Sequence, residues 1–398
     1  MSDQPEGGSM KDRLLLSRRV QSVSPSGIRR FFDLLSSMED VVSLGVGEPD
    51  YATPWHISEA AITGIGKGYT MYTSNSGMTE LREEVARHLS TRYGVSYDPD
   101  TELLITVGVS EGLDLATRAI LNPGDEVITP QPSYVAYSSC VILAGGEFVP
   151  VPTFAENEFK VKASDIEAGI TSNTKAIILG YPNNPTGAVM DRADLMEIME
   201  LARGRGLIVI SDEIYDQLVY GVKHTCVASL PDMHDCTILL GGFSKAYAMT
   251  GWRIGYAAAP AEIIEAMTKI HQYTMMCAPI MAQVAAIEAL KSGDRAVREM
   301  VVDYDRRRRV MVRGLNNIGL TCFEPKGAFY AFPSVKSTGM SSEEFAEKLL
   351  NEERVAVVPG CAFGDCGEGY VRCCYATALE DIREALRRMG RFVKKYSS

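Results

Sequence analysis

The sequence predicts an α/β protein, with a large domain on a mostly parallel seven-stranded sheet joined to a smaller α+β domain. Three observations carry that prediction. Seven short apolar runs between residues 103 and 258 show no apolar–polar alternation, the pattern of strands buried on both faces. Helix-like stretches closed by Gly or Pro separate most of them. After about residue 290 the text changes to long helices and a few isolated strands.

Taken in order, residues 1 to about 12 are polar and Gly-rich, so a mobile terminus is expected. The predicted strands are 103–107 (LLITV), 126–129, 147–151, 175–179 (KAIIL), 207–211 (LIVIS), 237–240 and 254–258. A helix follows the first and ends near Asn122-Pro123-Gly124. Another precedes Gly145-Gly146, and a third runs from 192 to 203. Beyond them come a long helix over 295–316 and strands near 328–332, 355–358 and 370–375. The expected division is an N-terminal segment 1–50 packing with the small domain, a large domain 51–290 and a small domain 291–398.

Composition narrows the function. Of 398 residues, 46% are hydrophobic and 23% charged, which excludes wholesale disorder. The net charge of −11 argues against a nucleic-acid partner. The run Arg306–Arg309 is the exception, and it reads as a solvated, paired helix face beside Asp303 and Asp305. The nine cysteines include no CxxC pair, so reduced thiols are expected. No signal-peptide core and no stretch of about 18 apolar residues is present. A cytoplasmic protein with no membrane partner is therefore expected.

In an open α/β sheet, ligands gather at the carboxyl ends of strands, and four segments fall there. The first is GVSEG at 108–112. Its backbone N–H groups, with the Ser110 hydroxyl, can hold a phosphate at a helix N-terminus. The same residues spell the nucleophile elbow of a serine hydrolase, and the motif alone does not choose between them. The second is PNNPTG at 182–187, which displays Asn184. The third is SDEIY at 211–215. A buried Asp212 needs a partner such as a cationic ring nitrogen, although capping a following helix is an alternative. Tyr215, about one turn on, can point into the same cleft. The fourth runs from Gly242 to Gly255. Lys245 sits there in a small, apolar turn where desolvation makes it a nucleophile, and Arg253 can bind a phosphate through its planar fork. Metal-ligand spacing is absent, so no metal is expected.

The fourth segment resembles the lysine signature of class I aminotransferases, which depend on pyridoxal 5′-phosphate and have the fold type I architecture. The others agree in family order: LGVGEPD at 44–50, Tyr72 in YTSNSGMTELR, Ser110, Tyr134 in PSYVAY, NNPTG, SDEIY, GAFY at 327–330, and VPG with GYVRCCYA at 358–376. The resemblance runs from about residue 16 to the C-terminus. It implies that Lys245 is joined to the cofactor aldehyde and shuttles the substrate proton, while Asp212 pairs with the pyridinium nitrogen. It also implies that Asn184 and Tyr215 hydrogen-bond the phenolic oxygen, that Tyr134 stacks on the ring, and that Val109, Ser110, Arg253 and a neighbouring subunit's Tyr72 hold the phosphate. Ser244 adjoins Lys245 as a cofactor contact. Arg372 is implied as the clamp on the substrate α-carboxylate, assisted by Gly47, Tyr134 and Asn184. One departure is Gly242, where many relatives have serine.

The expected reaction is transfer of an amino group from an L-amino acid to a 2-oxo acid such as 2-oxoglutarate, by a homodimer using a ping-pong mechanism. Aspartate and aromatic donors rank equally, with alanine behind. The alternatives are a cysteine-S-conjugate β-lyase, a racemase, or remotely a serine hydrolase using Ser110. The Gly64–Gly68 run lacks dinucleotide-binding spacing. A regulator carrying an aminotransferase-like domain is disfavoured, because a DNA-binding head is not expected before residue 16. Ser24–Arg30 is expected to border the side-chain pocket, with Arg29 or Arg30 available to a second carboxylate. Phe329, Tyr330 and Tyr134 offer apolar area to aromatic substrates.

Overall fold

The computed structural model describes residues 16–23 and 38–396 of the chain. The polar terminus and the Ser24–Arg30 segment lie outside the described residues. After a short β1 (Val42–Ser43), seven strands build one sheet: β2 (Leu103–Thr106), β3 (Glu126–Gln131), β4 (Glu147–Pro152), β5 (Thr174–Leu179), β6 (Ile208–Asp212), β7 (Thr237–Gly242) and β8 (Gly255–Ala258). Their order is β2-β8-β7-β6-β5-β3-β4. Neighbours from β4 to β7 are parallel, and β8 runs antiparallel between β7 and β2.

The unalternating apolar runs are explained by two-sided burial. On β5, Ile177 and Leu179 join one core while Ala176 and Ile178 join the opposite one. Val209 and Ile210 on β6 divide in the same way. Each strand thus needs apolar residues at consecutive positions. The helices Val109–Ile120, Ala136–Ala144, Ala163–Gly169 and Arg192–Arg205 fall between strands β2 and β6, and members of each lie in those two cores.

The strand directions decide where chemistry collects. Two antiparallel steps, β7 to β8 and β8 to β2, return β2 to the direction of β7. The carboxyl ends of β2, β5, β6 and β7 therefore share one edge. The register sets Gly255 opposite both Gly242 and Thr106, so the turns after β2 and β7 and the approach to β8 meet there.

The C-terminal part carries the long helix Asp294–Asn317, the helices Ser342–Glu353 and Leu379–Tyr396, and β9 (Tyr330–Ala331), β10 (Val355–Ala356), β11 (Val358–Pro359) and β12 (Val371–Cys374). β11, β12 and β9 form an antiparallel sheet, while β1 pairs in parallel with β10. That pairing joins the segment near residue 42 to the C-terminal part. Arg372 lies on β12.

The arginine run corrects the expectation of a solvated face. Arg307 and Arg308 are buried, and only Arg306 and Arg309 are exposed. Arg307 bonds Asp50 at 2.7 Å and Asp303 at 2.8 Å, while Arg308 holds Asp305 and Glu324, each at 2.7 Å. Desolvated guanidinium groups need such partners. No helix among the described residues is long and apolar enough to cross a membrane. All nine cysteines are free thiols.

Candidate active site

A cavity of about 440 Å³ opens at the shared strand edge. Val109 and Ser110 reach it from the turn after β2, Asn184 from the loop after β5, and Asp212 and Tyr215 from the end of β6. Ser244, Lys245 and Arg253 come from the segment between β7 and β8, and Arg372 from β12. Gly47 and Tyr134 complete the expected set. Tyr72 is not part of it. It lies on the surface at 77% exposure.

The turn at Gly108 needs its glycine. Its φ is +77°, and a Cβ there would stand 2.7 Å from Arg253 Nη2. Without that carbon, the Arg253 guanidinium can stand against the turn that opens the helix Val109–Ile120, where a helix N-terminus and an arginine together suit an anion. Arg253 is itself held at φ +54°, an uncommon conformation for a side-chain-bearing residue that costs about 1–3 kcal/mol. Behind the turn, Glu111 accepts the Val107 N–H at 2.5 Å and pairs with the fully buried His271 at 2.8 Å.

Asp212 is 6% exposed. No helix follows it, so the capping alternative does not hold. The chain makes a turn in which its Oδ1 accepts the Ile214 N–H at 3.2 Å. Its Oδ2 accepts the Tyr137 hydroxyl proton at 2.8 Å. Burial pushes the carboxyl up to about 6, against the lowering effect of those two bonds. Lys245 Nζ donates to the Gly47 carbonyl at 2.7 Å. Desolvation brings its ammonium down to about 8, with the charges of Arg372 and Arg253 adding to the effect.

Arg372 is 3% exposed. Its Nη1 donates to Asn184 Oδ1 at 2.9 Å and its Nη2 to the Gly45 carbonyl at 2.7 Å. Its buried Nε has no hydrogen-bond partner among the described residues. Because the Asn184 oxygen is engaged, its amide N–H groups remain for the cavity.

Two expectations change. Phe329 does not line the cavity but is buried edge-on to Tyr215 and Tyr330. Tyr330 does line it, yet it contributes a hydroxyl 2.7 Å from that of Tyr215. A side chain at Gly242 would be crowded, because a Cβ there meets Val109 Cγ2 at 3.0 Å and Ile214 Cδ1 at 3.1 Å. Sequence reading missed Tyr137, the donor to Asp212. Its place in PSYVAY, three residues after Tyr134, was the available signal. Among the described residues lining the cavity there is no histidine, so Ser110 has no serine–histidine pair there. No group of described His, Cys, Asp and Glu residues is arranged to hold a metal.

The donor set fits pyridoxal phosphate. A glycine-lined anion cradle with an arginine over it suits the phosphate. A buried carboxylate with lone pairs to spare suits the ring nitrogen, and a desolvated amine suits the aldehyde.

The comparisons agree. A profile described as aminotransferase class I and II matches residues 39–389. YugH of Bacillus subtilis (strain 168) is 56% identical over 96% of this chain and 98% of its own. An aspartate aminotransferase of Pyrococcus abyssi is 46% identical over 96% of this chain and 99% of its own. The crystal structure of an aromatic aminotransferase from Pyrococcus horikoshii superposes with a TM-score of 0.88 at 46% identity, covering 92% of this chain and 99% of that one. Agreement over nearly the whole length, with the sheet and cavity described above, makes this chain an amino-acid aminotransferase of fold type I that uses pyridoxal phosphate, a member of the class I and II aminotransferase family.

Proposed function

We propose that the enzyme moves the amino group of aspartate or an aromatic L-amino acid to a 2-oxo acid such as 2-oxoglutarate, by a ping-pong mechanism. The observation that carries this reading is the pairing of Lys245 and Arg372 in one cavity, with burial lowering the ammonium of the first and an unpartnered Nε on the second. Bound pyridoxal phosphate supplies an electron sink for the substrate's Cα. The chain's residues do the rest. Lys245 anchors the cofactor, then takes and returns the Cα proton through Nζ. Asp212, kept in place by Tyr137, holds the proton on the ring nitrogen. Asn184 and Tyr215 donate to the phenolic oxygen, and Tyr134 covers the ring face. Val109, Ser110 and Arg253 take the phosphate, and Ser244 lies beside the anchor. Arg372 grips the α-carboxylate beside Gly47 and Asn184, which orients the Cα–H bond.

The names of relatives support both donor classes, since one is called an aspartate and another an aromatic aminotransferase. We further propose a homodimer in which Tyr72 reaches the partner's phosphate site, a cytoplasmic location consistent with nine free thiols, and domains over 1–50, 51–290 and 291–398.

A half-reaction tests the activity. An amino donor added alone should replace the visible band of lysine-bound cofactor by the near-ultraviolet band of its amine form. Aspartate, phenylalanine, tyrosine and alanine, each assayed with 2-oxoglutarate, then rank the donors. Steady release of ammonia and pyruvate from a cysteine conjugate without that spectral change would establish the β-lyase instead.

A further inference from the structure

Tyr330 ties together three groups that the mechanism uses. Its hydroxyl lies 2.7 Å from the Tyr215 hydroxyl and 3.5 Å from the Gly47 carbonyl. The Arg372 guanidinium stacks over its ring at 4.6 Å. A Cβ on Gly47 would fall 2.6 Å from the Tyr330 oxygen, so a glycine at 47 lets the substrate loop approach this phenol. Tyr330 is fully buried.

Counting protons gives the arrangement a direction. Each phenol owns one proton. Tyr330 can give its proton to Tyr215 over a short contact or to Gly47 over a long one. The Gly47 carbonyl already accepts Lys245 Nζ at 2.7 Å. The 2.7 Å contact can carry either proton. Gly47 is a long and already engaged acceptor for Tyr330, while the cofactor's phenolic oxygen is an acceptor for Tyr215. The arrangement that satisfies both protons therefore runs from Tyr330 to the Tyr215 oxygen. That leaves the Tyr215 proton free to point into the cavity, which Tyr215 lines. A donor whose own oxygen accepts a hydrogen bond is also a better donor, because such chains polarise cooperatively.

We infer that Tyr330 is a positioning residue: its hydroxyl holds Tyr215 as a hydrogen-bond donor toward the phenolic oxygen of the cofactor. The inference rests on the assignment of Tyr215 to that oxygen. Removing the Tyr330 hydroxyl frees the Tyr215 proton to turn away, toward the space left behind. The phenolic anion then loses stabilisation. The protonated form of the lysine-bound cofactor, whose charge balances that anion, persists to higher or lower pH according to how strongly the anion is held. A poorer donor leaves more negative charge beside the protonated nitrogen and raises its pKa.

The test uses the full-length, cofactor-loaded enzyme and reads the pH midpoint of the visible absorbance. Tyr330→Phe should raise that midpoint by roughly half a pH unit or more. Tyr215→Phe should raise it at least as far. In the Tyr215→Phe background, adding Tyr330→Phe should move it no further, because the effect passes through Tyr215. An unchanged midpoint in Tyr330→Phe overturns the inference, as does an equal shift in both backgrounds, which would mean that Tyr330 acts through Arg372. If Tyr215→Phe itself moves nothing, the assignment of Tyr215 has failed, and this inference fails with it. The ring is retained in every variant, and melting curves of the loaded proteins confirm the fold.

Discussion

Lys245 and Asp212 show one physical cause acting on charges of opposite sign. Burial disfavours whichever form is charged, so the amine is brought down to about 8 and the carboxyl up to about 6. For Lys245, the attachment of pyridoxal phosphate to cofactor-free protein should accelerate as pH rises to about 8 and then level off, measured by absorbance after mixing. A solvated lysine would keep accelerating toward its ordinary 10.5. Lys245→Ala should still bind the cofactor but leave no link that borohydride can fix to the protein, and turnover should fall by roughly a thousandfold or more. For Asp212 the consequence is stability. Its folded pKa lies above the ordinary 3.8, so its contribution is intact below pH 4 and is lost as pH rises through about 6. Two pH units correspond to roughly 3 kcal/mol. Cofactor-free Asp212→Asn should therefore melt above the wild type at pH 8 and level with it at pH 4. The opposite order at pH 8 would mean that the carboxylate is already compensated without a ring nitrogen.

At the scale of elements, the turn into the helix Val109–Ile120 can be isolated by two glycine substitutions. Gly108→Ala forces a side chain onto φ +77° and into Arg253 Nη2. Strain and a displaced guanidinium together should weaken pyridoxal phosphate affinity by roughly tenfold or more, read by equilibrium titration. Gly204→Ala is the control. It sits in the helix Arg192–Arg205 with open space around the added carbon, so it should stabilise the fold by about 0.5–1 kcal/mol and leave affinity unchanged. These elements also show what a sequence displays and what it hides. Two-sided burial writes apolar residues at every position of a strand, so β5 and β6 were legible to within a residue. Turn chemistry likewise exposed Ser110, Asn184, Lys245 and Arg253. The hydrogen bonds that orient the site were not legible, because they join residues far apart in the chain. Tyr137 meets Asp212 across 75 positions and Tyr330 meets Tyr215 across 115. The burial of Arg307 was hidden for the same reason, since its partner Asp50 lies 257 positions away.

For the whole molecule, the place of Tyr72 is a matter of assembly. Tyr72 does not line its own cavity; it is exposed, as are the apolar side chains of Ile62, Ile65, Met71, Tyr273 and Met275. These residues come from two stretches that the fold fastens together. Asn75 Nδ2 donates to the Met276 carbonyl at 2.6 Å, and Gly64 lies against Val284 of the helix Ile280–Ser292. Tyr273 and Met275 lie at the end of the helix Ala261–Thr274, whose buried His271 holds Glu111 behind the phosphate turn. The helix that carries Tyr273 thus also reaches the residue behind the phosphate turn, and large exposed apolar patches mark interaction surfaces. In the homodimer proposed above, a second copy seated here would cover these side chains, and its Tyr72 would be the one that serves Ser110 and Arg253. The wild type should therefore sediment as a dimer. Ile62→Asp with Ile65→Asp should yield monomers that keep their circular dichroism but release pyridoxal phosphate readily, because each monomer lacks the partner's hydroxyl. Tyr72→Phe should leave the dimer intact while raising the cofactor Kd by roughly tenfold, the worth of about one charge-assisted hydrogen bond. A stable, fully active monomer, or a Tyr72→Phe dimer that holds its cofactor as tightly as the wild type, would remove Tyr72 from the phosphate site.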